Sequence, residues 1–271
     1  MAIFERILKL REENDTPKPF LQHLEELRNM FIKMAVTLMA CMMGSLYFRK
    51  ALVTLVQNPL RKVDPSLVGR LQTLGVADSM TISFQLAFYA GIIIAFPFLL
   101  FYLAQFVVPA LTRTEKKYVF PGIAIGFGLF LTGVTLCYFF ILPQTLAFFF
   151  KDAQSLDWTP TWTVREYFSF VTHMTIAFGL TFELPVVVLG LVGLGFISYE
   201  FMARTRPYAV ILLLLLAAVI APTPDILTFV SMGGPMCLLY ESCIWLAWLI
   251  DRRRKKQEQK RELEVDELSL P

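Results

Sequence analysis

The sequence predicts an all-α polytopic membrane protein with six transmembrane helices. Hydrophobic residues make up 56% of the 271 residues and charged residues only 17%, and the mean hydropathy is +0.59. The apolar residues are gathered into six blocks, which charged or proline-rich segments separate. Because a membrane-spanning helix needs about 20 mostly apolar residues, we interpret the blocks as the spans of one membrane domain.

The chain divides into an amphipathic N-terminal extension, residues 1–19, a membrane domain, residues 20–250, and a charged tail, residues 251–271. Acidic residues are mixed with the basic ones at the start, so we expect no cleaved signal peptide there. Apolar positions after Pro19 predict a short helix on the membrane surface that leads into the first span. The six predicted spans are residues 29–48, 79–108, 118–142, 167–193, 208–221 and 226–250.

The first three spans carry few interruptions. Lys33 in span one is close enough to its start to reach the membrane interface, and Pro97 is expected to kink span two. Gly122 and Gly126 in span three have the spacing that lets helices approach closely. A polar hinge, residues 105–117, joins spans two and three, and it must lie at a membrane surface because hydrocarbon cannot satisfy irregular backbone.

The last three spans are less regular. Span four contains one carboxylate, Glu183, followed by Pro185. Span five has only fourteen residues, which reach about 21 Å, so we expect the bilayer to thin around it. The Gly-Gly-Pro sequence at 233–235 is expected to interrupt span six, and the tail is expected to be disordered beyond about Gln259.

The distribution of Lys and Arg predicts the orientation of the chain. Six spans place 18 of the 25 basic residues on the side that holds both termini and the hinge, and 7 on the other side. Basic residues near spans favour the cytoplasmic side. Both termini are therefore predicted to be cytoplasmic.

Patterns typical of enzymes and metalloproteins are missing from the sequence. It has no phosphate-binding loop of the Gly-x-x-x-x-Gly-Lys-Ser/Thr kind, and no serine elbow accompanies His173. Neither His23 nor His173 has a cysteine or carboxylate at a metal-ligand spacing, and the four cysteines lie in apolar blocks as packing residues. We expect no catalytic residue, metal, cofactor or nucleic-acid partner.

Three carboxylates are candidate functional residues. Glu183, near mid-membrane, must be protonated, hydrated or paired; it is either satisfied within the bundle, or a polar contact for a partner helix or a proton-coupled site. Glu26 and Glu115 lie at span edges among basic residues. Glu115 either caps span three or pairs with a neighbour, or the two acids together form an anionic site that suits a guanidinium group.

Five stretches in the chain carry a family resemblance. They are His23-Leu-Glu-Glu-Leu-Arg28, Phe106-Val-Val-Pro-Ala-Leu-Thr-Arg-Thr-Glu115, Ala177-Phe-Gly-Leu-Thr-Phe-Glu-Leu-Pro185, Arg206-Pro-Tyr and Pro222-Thr-Pro-Asp225. Together they resemble TatC, the family of receptor subunits of the twin-arginine protein translocase. The resemblance covers about residues 20–250 and implies six spans with short fifth and sixth helices.

The resemblance implies a receptor for signal peptides. TatC proteins bind the n-region of twin-arginine signal peptides at their cytoplasmic face, and the acids matched by Glu26 and Glu115 are the implied arginine contacts. Phe106 matches the hinge aromatic that is important for this recognition. Arg28 and Pro59 match other functionally sensitive positions, which implies that Arg28 is part of the signal-peptide-binding site and that Pro59 belongs to a structural or functional loop.

The resemblance also implies partners and a location. Glu183 would face single-span TatA and TatB subunits, which span five would also contact, while Pro222 and Asp225 belong to a structural or functional loop. We expect a multi-pass protein of the bacterial inner membrane that lies in the lipid bilayer, self-associates in the complex and exports folded proteins using the proton-motive force.

Two other classes of function stay open at this point. A proton-coupled secondary transporter would use Glu183 as its proton relay and the broken sixth span as its substrate site. A purely structural scaffold would tolerate neutralisation of both Glu26 and Glu115.

Overall fold

The computed structural model describes residues 20–108, 116, 119–193 and 195–269. In the long first and last helices, side chains are described only from Leu24 onward and, beyond Leu249, only at Asp251 and Arg252. The α-helices of these residues are α1 Phe20–Tyr47, α2 Arg49–Val63, α3 Pro65–Val68, α4 Asp78–Val107, α5 Val119–Leu136, α6 Leu142–Ser155, α7 Val164–Thr181, α8 Leu184–Gly193, α9 Tyr199–Arg204, α10 Arg206–Ile220 and α11 Ile226–Ser269.

Several helical stretches are long and apolar enough to cross a membrane, which confirms the predicted all-α membrane class. The described residues contain five of them: Leu24–Tyr47, Asp78–Val107, Val119–Ser155, Val164–Gly193 and Ile226–Leu249. The predicted fifth span corresponds to α10, an apolar helix of 15 residues. The last stretch has 24 residues, so the expectation of a short sixth helix is wrong.

The predicted surface helix and first span form one continuous helix, α1. It packs antiparallel to α4 along much of its length, and the backbones come close where Gly91 faces Met42. A Cβ atom on Gly91 would lie 3.0 Å from the backbone of Met42. Pro97 lies inside α4 without ending it.

The third span is longer than the sequence predicts, because α5 and α6 are joined by a π-helical stretch, Cys137–Ile141. The N–H of Leu142 donates to the carbonyl of Cys137, five residues back. Pro143 follows directly and has no N–H to continue the ordinary α-helical pattern. The combined stretch has 37 residues, so it extends beyond a hydrocarbon core of about 30 Å at its α6 end.

Helices α5 and α7 interlock through two glycines. A Cβ atom on Gly133 would lie 2.6 Å from the carbonyl oxygen of Phe178, and one on Gly179 would lie 2.6 Å from the ring of Phe130. Each glycine therefore makes room for a group of the other helix. Among the described residues, nothing lies within 4 Å of a Cβ atom on Gly122, so the close approach predicted there is not found within the part of the chain that the structure describes.

The fourth span is divided at Phe182 and Glu183, which form a turn between α7 and α8. Pro185 explains the division, because a proline cannot donate to the carbonyl four residues earlier and its ring crowds that carbonyl. The backbone N–H of Glu183 bonds instead to the carbonyl of Leu180, at 3.1 Å. The Glu183 side chain therefore projects from a turn and not from a continuous helix.

The last helix, α11, differs from the sequence prediction in two respects. It passes through Pro235 without a break, and it continues to Ser269, where the sequence predicts disorder beyond about Gln259. The first of the two glycines before the proline serves packing: a Cβ atom on Gly233 would lie 2.9 Å from the Leu214 side chain of α10. The tail consists largely of strong helix formers with opposite charges three and four positions apart, which favours helix despite its polarity.

Candidate functional site

Helices α1 and α4 bring the predicted recognition residues to one end of the bundle. The Thr37 hydroxyl donates to the Tyr102 hydroxyl at 3.3 Å. From this contact α1 runs back toward Glu26, and α4 runs forward to Phe106 in the same direction. We call this the hinge end, because residues 105–117 follow directly.

At the hinge end, neighbouring acids differ in their environment. Arg28 lies 3.3 Å from Glu25, and both side chains are largely exposed, at 66% and 64%. Glu26 and Phe106 are half-buried. Glu115 lies outside the described residues, so its position relative to Glu26 stays a prediction.

Glu183 lies where three helices meet. One of its carboxylate oxygens, Oε2, would be 3.1 Å from a Cβ atom on Gly126, and the Leu100 side chain would be 3.3 Å from the same point. Gly126 of α5 thus leaves space for the carboxyl group between α4, α5 and the α7–α8 turn. The other oxygen, Oε1, is buried and has no hydrogen-bond partner among the described residues.

Beside Glu183, an aromatic and aliphatic cluster holds the same helices together. The Phe96 ring of α4 stacks on the Phe130 ring of α5, with 3.6 Å between the ring centroids. Ile176 of α7 completes the buried centre of this cluster. The surroundings of Glu183 are therefore mainly apolar, and they offer its buried oxygen no internal donor among the described side chains.

Pro59 is buried inside α2, at the opposite end of the bundle. Because proline has no N–H, the carbonyl of Leu55 lacks its helical donor. The Tyr138 hydroxyl donates to that carbonyl at 2.7 Å, and the Tyr167 hydroxyl donates to the next carbonyl, of Val56, also at 2.7 Å. These bonds fasten α2 to the third and fourth spans.

Asp225 organises the connection between α10 and α11. Its carboxylate accepts from the backbone N–H of Thr228 at 2.8 Å and from the Thr223 hydroxyl at 2.6 Å. Burial acts to raise the pKa of Asp225, but these hydrogen bonds outweigh it and hold the pKa below its usual value. Pro222 is half-buried in the same connection.

Two side-chain pairs between spans are absent from the sequence prediction. Glu241, which the sequence marks only as a polar residue inside span six, pairs with Arg206 at the start of α10, at 3.1 Å. Gln85 of α4 donates to Thr172 of α7 at 2.9 Å. Polar residues inside apolar blocks are the available signal, but each block contains several of them and the sequence does not identify their partners.

Comparisons with known proteins place the chain in a family. The family model of the Sec-independent protein translocase protein TatC matches residues 22–235. The chain belongs to the TatC family. The matched region includes the hinge end, the turn at Glu183 and the α10–α11 connection, and the family is a component of a protein translocase.

Individual TatC proteins match over different lengths. The Akkermansia muciniphila protein is 45% identical over 176 residues, which cover 65% of this chain and only 51% of that protein. The Aquifex aeolicus protein is 34% identical over 242 residues, covering 88% of this chain and 98% of that protein. A crystal structure described as the twin-arginine translocase receptor TatC superposes with a TM-score of 0.75 at 34% identity, covering 84% of this chain and 98% of the other.

These matches confirm the TatC resemblance found in the sequence. They also agree with the helical architecture, because the superposed crystal structure covers most of this chain. The matched region contains no group of three His, Cys, Asp or Glu side chains suited to a metal among the residues that the structure describes.

Proposed function

We propose that this TatC family member is the receptor subunit of a twin-arginine translocase in the bacterial inner membrane, with both termini in the cytoplasm. It binds twin-arginine signal peptides at the hinge end, assembles with TatA- and TatB-type single-span partners and further copies of itself, and exports folded proteins using the proton-motive force. The observation that carries the proposal is the match of the TatC model to residues 22–235.

The geometry of the hinge end supports the binding step. Glu26 and Phe106 lie at the same end of the antiparallel α1–α4 pair, and α4 ends at Val107, eight residues before Glu115 in the sequence. Two carboxylates would hold the guanidinium groups of the arginine pair, since each can accept paired donors. The half-buried Phe106 would give the following apolar part of the signal a surface to contact.

The environment of Glu183 supports a partner contact within the membrane. A buried oxygen without a partner costs free energy, and the half-buried Glu183 side chain would remove that cost by turning toward a donor from another helix. The helix of a single-span partner at this position would supply the donor. The 15-residue helix α10 lies in the same subunit, and thinning of the bilayer around it would lower the barrier for assembling a conduit with these partners.

The transporter alternative loses one of its two supports. It needs a broken sixth span as a substrate site, whereas α11 is continuous through Pro235. Glu183 alone is as well explained by a partner contact. The receptor hypothesis is therefore the better account of the described residues.

Replacing acids at the hinge end tests the binding step. We expect Glu26→Gln, and separately Glu115→Gln, to lower photo-crosslinking of a twin-arginine precursor about tenfold in native membranes, because a charge-assisted hydrogen bond is lost. Asp152→Asn is the matched control, since Asp152 is an exposed acid of α6 and lies outside the hinge end. Unchanged crosslinking in both single variants would remove these acids from the site.

A further inference from the structure

His173 is an unusual residue on the most buried of the candidate spans. From Val171 to Phe182 the side chains are buried, with three exceptions: His173, Thr175 and Leu180. Of these, His173 and Leu180 are exposed, and they lie on the same face because seven residues make about two helical turns. A polar side chain therefore projects from the bundle into its surroundings.

The depth of His173 makes this exposure costly. It lies seven residues beyond Glu166, the last charged residue before the span, which corresponds to about 10 Å along the helix axis. No charged residue occurs between Glu166 and Glu183. In a bilayer with a hydrocarbon core of about 30 Å, lipid tails would offer the imidazole no hydrogen bond.

The hydrogen bonds of His173 determine which ring atom is left free. Nδ1 lies 2.8 Å from the carbonyl oxygen of Ser169 and 3.2 Å from its hydroxyl. A carbonyl oxygen only accepts, so Nδ1 carries the proton. In the neutral ring Nε2 is then an acceptor without a partner among the described residues.

Helix α4 supplies the other side of this surface. The Tyr89 ring contacts the His173 ring edge to face, with 5.5 Å between centroids. One turn earlier, the Gln85 amide nitrogen donates to Thr172, which leaves the Gln85 carbonyl as a second acceptor. We call His173, Ser169, Tyr89 and Gln85 the His173 patch.

We propose that the His173 patch binds the transmembrane helix of a single-span partner that carries a hydroxyl or amide donor at this depth. The inference rests on the proposed function for the kind of partner. His173 and Glu183 are ten residues apart, about 15 Å along the axis. The same partner helix would therefore carry a donor for the patch eleven residues from the residue that meets Glu183, because eleven residues make about three helical turns, about 16 Å, and keep both side chains on one face.

Hydrogen-bond complementarity selects this occupant over two others. Lipid tails and the apolar segment of a signal peptide have no donor, so either would leave Nε2 and the Gln85 carbonyl unsatisfied. A partner helix with one amide or hydroxyl group would donate a hydrogen bond to His173 Nε2 or to the Gln85 carbonyl. The rest of its surface would stay apolar and could still pack against the neighbouring apolar side chains. Leu180, which is 52% exposed, lies between His173 and Glu183 and would contact that helix.

The test uses defined helices in liposomes. The full chain, with a photoreactive residue in place of Leu180, is reconstituted in phosphatidylethanolamine and phosphatidylglycerol with one of two synthetic single-span peptides of leucine and alanine. The peptides have the same serine to meet Glu183 and differ only eleven residues away, on the same helical face, where one has glutamine and the other leucine. We expect about threefold more crosslinking of the glutamine peptide, the size of an interhelical hydrogen bond in membranes.

Two variants assign the effect to the imidazole. His173→Leu should abolish the difference between the peptides, whereas His173→Gln, which keeps an acceptor, should retain most of it. Phe88→Leu is the matched control, because Phe88 is 41% exposed beside Tyr89 and has no hydrogen-bonding group; it should leave the difference unchanged.

The outcomes separate this inference from the proposed function. Equal crosslinking of the two peptides to the native chain, or an unchanged difference in His173→Leu, would overturn the inference and leave lipid as the occupant. Stronger crosslinking of the leucine peptide would overturn it in favour of an apolar signal segment. Binding of a twin-arginine peptide to the same liposomes is measured separately, and its failure would count against the proposed function alone.

Discussion

The α5–α7 contact and the α10–α11 contact are both pairs of apolar helices, but they are built differently. In the first, Gly133 and Gly179 each receive a bulky group of the opposite helix, and most of α7 is buried. In the second, only Leu213 and Ala217 of α10 are buried, and a half-exposed ion pair, Arg206–Glu241, ties the two helices. We call the tightly packed helices α5 and α7 the framework. In the second pair, much of the surface of α10 is left exposed to the membrane or to other proteins.

This difference bears on where the functional residues lie. Glu183 and the His173 patch are both anchored on the framework, at the turn and on the exposed face of α7. Their positions are fixed because the backbone that carries them has little freedom to repack. The short helix α10 has few internal contacts, so its position is more easily adjusted by a partner.

The strongest test of the comparison is to fill the space at Gly133. We expect Gly133→Leu to lower the free energy of unfolding by about 3 kcal/mol, because its Cβ atom would meet the backbone oxygen of Phe178, which cannot move aside as a flexible side chain would. The measurement is unfolding by sodium dodecyl sulfate in mixed micelles. Gly122→Leu lies eleven positions earlier in the same helix, where no described residue comes within 4 Å of the Cβ position. It should change stability by less than about 0.5 kcal/mol.

An equal loss of stability in both glycine variants would contradict the distinction between an interlocked and an open face of α5. It would mean that leucine is harmful to this helix for a reason other than contact with α7.

Much of the membrane architecture could be predicted from the sequence, because a helix that crosses lipid needs about 20 mostly apolar residues with few charges. Residues 167–193 are predicted as one span, and the turn at Glu183 that divides them is explained by the local effect of Pro185 on the helix. The continuity of α11 did not follow, because Pro235 has the same local effect but packing of Gly233 against α10 stabilises the helix across it. Local signals fail where contacts between helices outweigh them.

The candidate site shows the same limit. Glu183 is recognisable because it is the only carboxylate in its block, and this needs no knowledge of its neighbours. Gly133 and Gly179 are not recognisable, since spacing within one helix does not reveal which residue of another helix will fill the gap. The four-residue spacing of Gly122 and Gly126 fits the known pattern for close helix packing. No described residue, however, lies within 4 Å of a Cβ atom on Gly122.

A smaller effect is expected where the fourth span holds α2. Tyr167→Phe removes the hydroxyl that donates to the carbonyl of Val56, and because Tyr167 is only 3% exposed we expect a loss of about 1 kcal/mol in the free energy of unfolding. Tyr47→Phe is the control, since Tyr47 is 84% exposed and should have no measurable effect. If both variants unfold with the same free energy as the native chain, the hydrogen bond from Tyr167 to α2 does not contribute to the stability of the fold.

The smallest effect is expected at the α10–α11 connection, and it depends on pH. The pKa of Asp225 is held below its usual value of 3.8 in the folded chain, so the carboxylate stabilises the fold above that value, and this contribution is lost as pH falls through the folded pKa. Asp225→Asn keeps an acceptor for the Thr228 N–H but cannot titrate. We expect the native chain to be more stable than this variant at pH 7, by less than about 0.5 kcal/mol because the site is largely solvated, and the difference to disappear as pH falls through the lowered pKa of the folded chain. A difference that does not change during an acid titration from pH 7 would show that the charge of Asp225 does not stabilise the connection.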